Sequence, residues 1–65
     1  MNYRAKALQY VTNTGGEVKV TWFLDDFEPI GGNLIDELLE KKWITINDDV
    51  ITLTDTGEEA RKENE

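Results

Sequence analysis

The segment Ile44-Thr45-Ile46-Asn47-Asp48-Asp49-Val50-Ile51-Thr52-Leu53 constrains this chain more than any other. If Asp48-Asp49 is a two-residue turn, which Asp tolerates because it visits positive φ more readily than most residues, Ile46 meets Ile51, Ile44 meets Leu53 and Thr45 meets Thr52. The isoleucine and leucine side chains then share one face and the threonines the other. A one-residue slip would destroy that agreement, so the register is specified by the side chains themselves. An amphipathic helix leads directly into this hairpin. At 100° steps Ile30, Leu34, Ile35, Leu38 and Leu39 fall on one face, with Asn33, Asp36, Glu37 and Glu40 opposite. The helix is expected to begin between Ile30 and Asn33 and to end at Lys41 or Lys42, where lysines complement its dipole.

The rest of the chain is organised around this unit. Tyr3, Ala7, Leu8, Tyr10 and Val11 recur at helical spacing, which predicts a first helix over Tyr3 to Thr12, stopped by Gly15-Gly16. Glu17 to Val20 alternates polar with apolar and predicts a short edge strand with Val18 and Val20 facing inward. Thr21 is expected to cap a short helix through Trp22, Phe23, Leu24 and Phe27, with Asp25 and Asp26 in or just after its first turn. Pro29 marks the break, and Gly31-Gly32 reads as a flexible helix start. Thr54, Asp55 or Thr56 can cap a last helical segment, with Glu58 or Glu59 completing a capping box from Asp55 or Thr56. Residues 60–65 have almost nothing to bury and are expected to fray. Trp22, Phe23, Phe27 and Trp43 read as packing between the second helix, the third helix and the hairpin, with an exposed anchor patch for a partner the other reading. Trp43 falls off the apolar stripe and on the Thr45 face, so its indole is expected to be partly exposed.

Sixty-five residues make one domain, in which only roughly 60% of the unfolded chain's surface can be buried. With no cysteine and no histidine, stability must come from packing, with dimerisation an open contribution. No apolar run approaches the ~20 residues of a membrane span, and the N-terminus lacks the order of a signal peptide. The expected setting is soluble and cytoplasmic. Seven basic against 14 acidic side chains give a net charge of -7, which repels nucleic acid. The most acidic part is residues 31–56, where six acids face Lys41 and Lys42.

The order helix, strand, helix, helix, hairpin, helix is similar to the winged helix-turn-helix family, and especially to the small winged domains of bacterial, archaeal and phage transcription regulators. Two patterns carry the likeness. Leu38-Leu39-Glu40-Lys41-Lys42-Trp43-Ile44 resembles the family's exit from the recognition helix into the wing, and Leu53-Thr54-Asp55-Thr56-Gly57 resembles the leucine-threonine-x-x-glycine that closes the wing. The resemblance covers nearly the whole chain and implies an α+β fold: a single winged-helix domain over residues 1–65. Carried over by position, it places Asn33, Asp36, Glu37 and Glu40 at the groove-reading face and Asn47, Asp48 and Asp49 at the wing tip. DNA-binding members usually set such contacts among Arg and Lys that neutralise phosphate, and this chain departs from that pattern at nearly every position.

The face Asn33, Asp36, Glu37, Glu40 and Lys41, with Trp43, Asn47, Asp48 and Asp49 on the wing, therefore reads as a site for a protein partner. A plain solvated surface, a phosphate-mimicking surface and direct duplex recognition are the other readings it leaves open. The expected function is a non-catalytic interaction module in gene regulation or a phage-host context. The alternative is a DNA-binding regulator acting as a dimer or with a basic partner, for which Asn33 could pair with adenine. Arg4, Lys6, Lys19, Arg61 and Lys62 could assemble a basic patch away from the third helix. Asp25-Asp26-Phe27-Glu28 and Asp48-Asp49 do not match a calcium loop, and no metal or cofactor is expected. With no serine, histidine or cysteine, the usual pairs of nucleophile and base cannot be built, and no enzyme activity is expected.

Overall fold

The computed structural model describes residues 3–63. Its elements are α1 (Tyr3–Asn13), β1 (Glu17–Lys19), α2 (Val20–Asp26), α3 (Gly31–Glu40), β2 (Ile44–Asn47), β3 (Val50–Leu53) and α4 (Asp55–Glu63). The three strands form an antiparallel sheet in the order β1-β3-β2, making an α+β fold of four helices and one small sheet. The β2–β3 register pairs Ile44 with Leu53, Thr45 with Thr52 and Ile46 with Ile51, as the side-chain pattern requires. Asp48 and Asp49 both take positive φ, 52° and 62°, the geometry of a tight turn whose twist matches the strands.

Helix α1 buries Ala7, Leu8 and Val11, one stripe at i, i+1 and i+4, while Tyr3 stays exposed. It ends where Gly15 and Gly16 both adopt φ of 90°, and the Gly16 N–H donates back to the Val11 carbonyl. These conformations need glycine. The core gathers Leu8 and Val11 with Val18, Phe23, Phe27, Leu34, Ile35, Leu38, Ile44 and Ile51. Phe23 and Phe27 stack at 4.6 Å, and Tyr10 meets Phe27 edge-on at 5.4 Å.

The expected capping of the second helix by Thr21 is wrong. The strand passes straight into α2 with Lys19 at the cap position, and no side chain caps it. The Val20 N–H instead donates to the Asp49 carbonyl across the sheet, so the strand satisfies one of the four donors that the start of a helix leaves open. Val20 is therefore the first helical residue, half-buried, and not an inward strand position. Asp25 and Asp26, expected in or just after the first turn, lie instead in the last turn, where the helix dipole opposes them. Asp26 accepts a hydrogen bond from the Tyr10 hydroxyl.

Gly31, expected to give a flexible helix start, is buried at a close crossing. A methyl group there would lie 3.1 Å from the Leu24 Cα, so glycine lets α3 approach α2. Of the five apolar positions on the predicted stripe, Leu34, Ile35 and Leu38 are buried and Ile30 is half-buried, but Leu39 is exposed. Leu39 lies at the margin of the stripe, about 100° from Leu38, and that turn suffices to lift it off the core. Helix α3 closes with the Lys42 N–H on the Leu39 carbonyl and the Trp43 N–H on the Leu38 carbonyl. This is a Schellman arrangement, with Lys42 at φ 63° in the place glycine usually holds.

Thr54 knits the α3 exit to α4. Its Oγ1 donates to the Lys42 carbonyl at 2.7 Å and accepts from the Gly57 N–H at 3.0 Å, while its own N–H donates to the Trp43 carbonyl. Thr54 is thus the cap, which puts Gly57 at the position a capping box requires of Glu or Gln, so the expected box with Glu58 or Glu59 does not form. Residues 60–63 continue the helix instead of leaving it, with Ala60 buried against the core. Residues 64 and 65 of the expected frayed tail lie outside the described residues. Among the described residues, no helix is long and apolar enough to cross a membrane.

Candidate interaction surface

The outer face of α3 carries the acids that its helical spacing predicts. Asn33, Asp36 and Glu40 are exposed, because the opposite positions Leu34, Ile35 and Leu38 are drawn into the core. Glu37 differs. Its Oε1 lies 2.7 Å from the Arg4 guanidinium of α1, and this hydrogen bond holds the carboxyl below its ordinary range, against partial desolvation and with help from the charges of Arg4 and Lys41. The charge on Glu37 is therefore already answered within the molecule.

At the end of α3, the exposed Lys41 side chain places its Nζ 5.3 Å from the Trp43 ring centroid, within the range of a cation–π contact. Trp43 is half-buried and packs against the core. Asn47, Asp48 and Asp49 lie exposed at the hairpin tip, where the positive φ of both aspartates turns the chain. The structure thus puts the third-helix acids and the hairpin acids on successive elements, joined through Lys41, Lys42 and Trp43.

Two apolar side chains expected inside are exposed on the same elements. Leu39 of α3 and Ile46 of β2 are each 38% exposed. Ile46 keeps its expected cross-strand partner Ile51, which is fully buried, but it sits on the edge strand one residue from the hairpin tip. Its position on an edge next to the turn is the signal that could have found it. Trp22 is a further correction: expected in the core, it is 59% exposed.

Three of the five basic residues considered for a patch have separate engagements. Arg4 pairs with Glu37, Arg61 donates to the Gln9 side chain at 3.3 Å and lies 3.7 Å from Glu58, and Lys19 lies over the Trp22 ring at 5.9 Å. Lys6 on α1 and Lys62 on α4 are exposed. No family model, curated protein or solved structure matches this chain.

Proposed function

We propose that this chain is a winged helix-turn-helix interaction module without catalytic activity, binding a protein partner in gene regulation or a phage-host context through the acidic face of α3 and the wing formed by β2 and β3. The observation that carries this reading is the charge of that face and how its cations are used. Asp36, Glu40, Asp48 and Asp49 stand exposed, while Arg4 is held by Glu37 and Lys41 lies over Trp43, which leaves Lys42 as the exposed cation at the α3 exit against four acids. A duplex needs cations free to neutralise several phosphates. Exposed Leu39 and Ile46 supply apolar contact beside the acids, a combination suited to a protein surface with a basic rim and an apolar centre.

Affinity capture with the wild type and with the double charge reversal Asp36→Lys/Glu40→Lys tests it. Both residues are exposed, so the fold is retained, and partners recovered by the wild type should be lost with the reversed protein. Equal recovery by the two proteins would remove α3 from the interface.

The second reading, a DNA-binding regulator acting as a dimer or with a basic partner, draws support from the element order and from Asn33, exposed near the start of α3. It requires cations from outside this chain's α3 face.

A further inference from the structure

Two adjoining depressions share Tyr10 and Asp26. The larger, of about 370 Å³, reaches from Tyr3 past Phe27 to Pro29. The smaller, of about 210 Å³, is walled by Tyr10, Trp22, Asp25 and Asp26. Trp22 is the most exposed of the large apolar side chains among the described residues, at 59%, and an indole left in water forgoes the burial that makes tryptophan useful. Beside it stand two carboxylates in the last turn of α2, where backbone carbonyls already point and a negative charge is disfavoured. Both features are unfavourable in the free protein, and a cation seated in the recess would relieve both.

The recess has its own indication of what it attracts. Lys19 places its Nζ 5.9 Å from the Trp22 centroid, at the outer limit of a cation–π contact, and leaves most of the indole open. Asp25 and Asp26 are both exposed and line the recess together with the Tyr10 and Trp22 rings. A flat group able to stack on an indole and donate two parallel hydrogen bonds to a carboxylate satisfies every wall at once. A guanidinium does this, and a compact ammonium cannot do both.

We propose that the Tyr10, Trp22, Asp25 and Asp26 recess is a docking site for an arginine side chain of a partner protein, with the depression beside it, where Tyr3, Phe27, Pro29 and Ile30 stand with Lys6 and Glu28, taking the partner residue next to that arginine. Its charge complements an arginine and repels phosphates, which disfavours nucleic acid and anionic lipid as occupants. The site is built on α1 and α2 and does not rest on the reading of α3 and the wing.

Isotope-labelled protein titrated with the blocked peptide acetyl-Gly-Leu-Arg-Leu-Gly-amide, and with its citrulline counterpart, tests the proposal by nuclear magnetic resonance. Citrulline keeps the shape and removes the charge. The Trp22 indole N–H and the Asp25 and Asp26 amides should shift saturably with the arginine peptide, and the citrulline peptide should bind at least about tenfold more weakly. Trp22→Ala, at an exposed position, should reduce the arginine peptide to the level of the citrulline one. Tyr10→Phe, which keeps the ring and releases Asp26, should weaken binding by less. Equal responses to the two peptides, no saturable shift up to about 10 mM peptide, shifts confined to α3 and the hairpin, or undiminished binding by Trp22→Ala would each overturn it. So would the same signals moving with a short DNA duplex or with phosphatidylglycerol vesicles and not with the peptide.

Discussion

The Arg4 guanidinium lies 2.7 Å from the Glu37 carboxylate, fastening the start of α1 to the outer side of α3. Because Glu37 ionises more readily in the folded protein than its ordinary value of 4.5, the pair's contribution is fully present above that pH and is lost as the pH falls through the lower folded value. Both side chains are substantially exposed, at 48% and 37%, so the contribution is small. Thermal unfolding of the wild type and of Glu37→Gln should differ slightly at neutral pH, and the gap should close on acidification below 4.5. A gap that widens in acid would contradict the pairing.

Tyr10 titrates in the opposite sense. Its hydrogen bond to Asp26, with burial and the charges of Asp26 and Asp25, pushes the phenol from 10.0 up to about 12. The stability this supplies is present below pH 10.0 and is lost as the pH rises through about 12. In a Tyr3→Phe background, tyrosinate absorbance should report a midpoint near 12, moving down toward 10.0 when Asp26→Asn is added. An unmoved midpoint would show that Asp26 does not hold the hydroxyl.

Lys42 occupies a left-handed conformation, φ 63°, that glycine adopts without strain. Replacing Lys42 with Gly should raise stability by about 1 kcal/mol, since the Schellman bonds from Lys42 and Trp43 are backbone bonds and survive the change. Denaturant unfolding measures this, and a loss of stability would mean that the lysine side chain supports the turn.

Two glycines in helices should respond with opposite signs. A methyl group at Gly57 would overlap the Trp43 carbonyl oxygen and come within 2.9 Å of Leu53 Cδ1, so Gly57→Ala should destabilise by about 1 to 3 kcal/mol. At Gly32 nothing lies within 4 Å, and Gly32→Ala should stabilise by roughly 0.4 to 1 kcal/mol through the unfolded chain's lost freedom. Comparable losses at both sites would undo the close approach inferred between α4 and the α3 exit.

The hairpin was legible in the sequence down to its register, because Ile44, Ile46, Ile51 and Leu53 agree with one turn position and no neighbouring one. The α3 face was legible where helical spacing alone decides it, at Leu34, Ile35 and Leu38. Local rules failed where a distant strand intervened. Thr21 has the chemistry of a cap, but the Asp49 carbonyl across the sheet satisfies Val20, and the helix begins one residue before Thr21. Asp25 and Asp26 lie at the far end of α2, and no propensity at those positions would have announced the recess they form with Trp22 and Tyr10. The engagement of Glu37 by Arg4 was likewise hidden, because it joins residues 33 positions apart on different helices.

The most direct test of the separation between this fold's charge and duplex reading is the titration of fluorescently labelled duplex DNA at about 50 mM salt, where electrostatic affinity is strong. With Asp36, Glu40, Asp48 and Asp49 exposed, fluorescence anisotropy should stay flat up to about 10⁻⁴ M protein, the weak end of ordinary non-specific binding. Saturable binding that weakens as salt is raised would contradict the account and return α3 to the role of a DNA-reading helix.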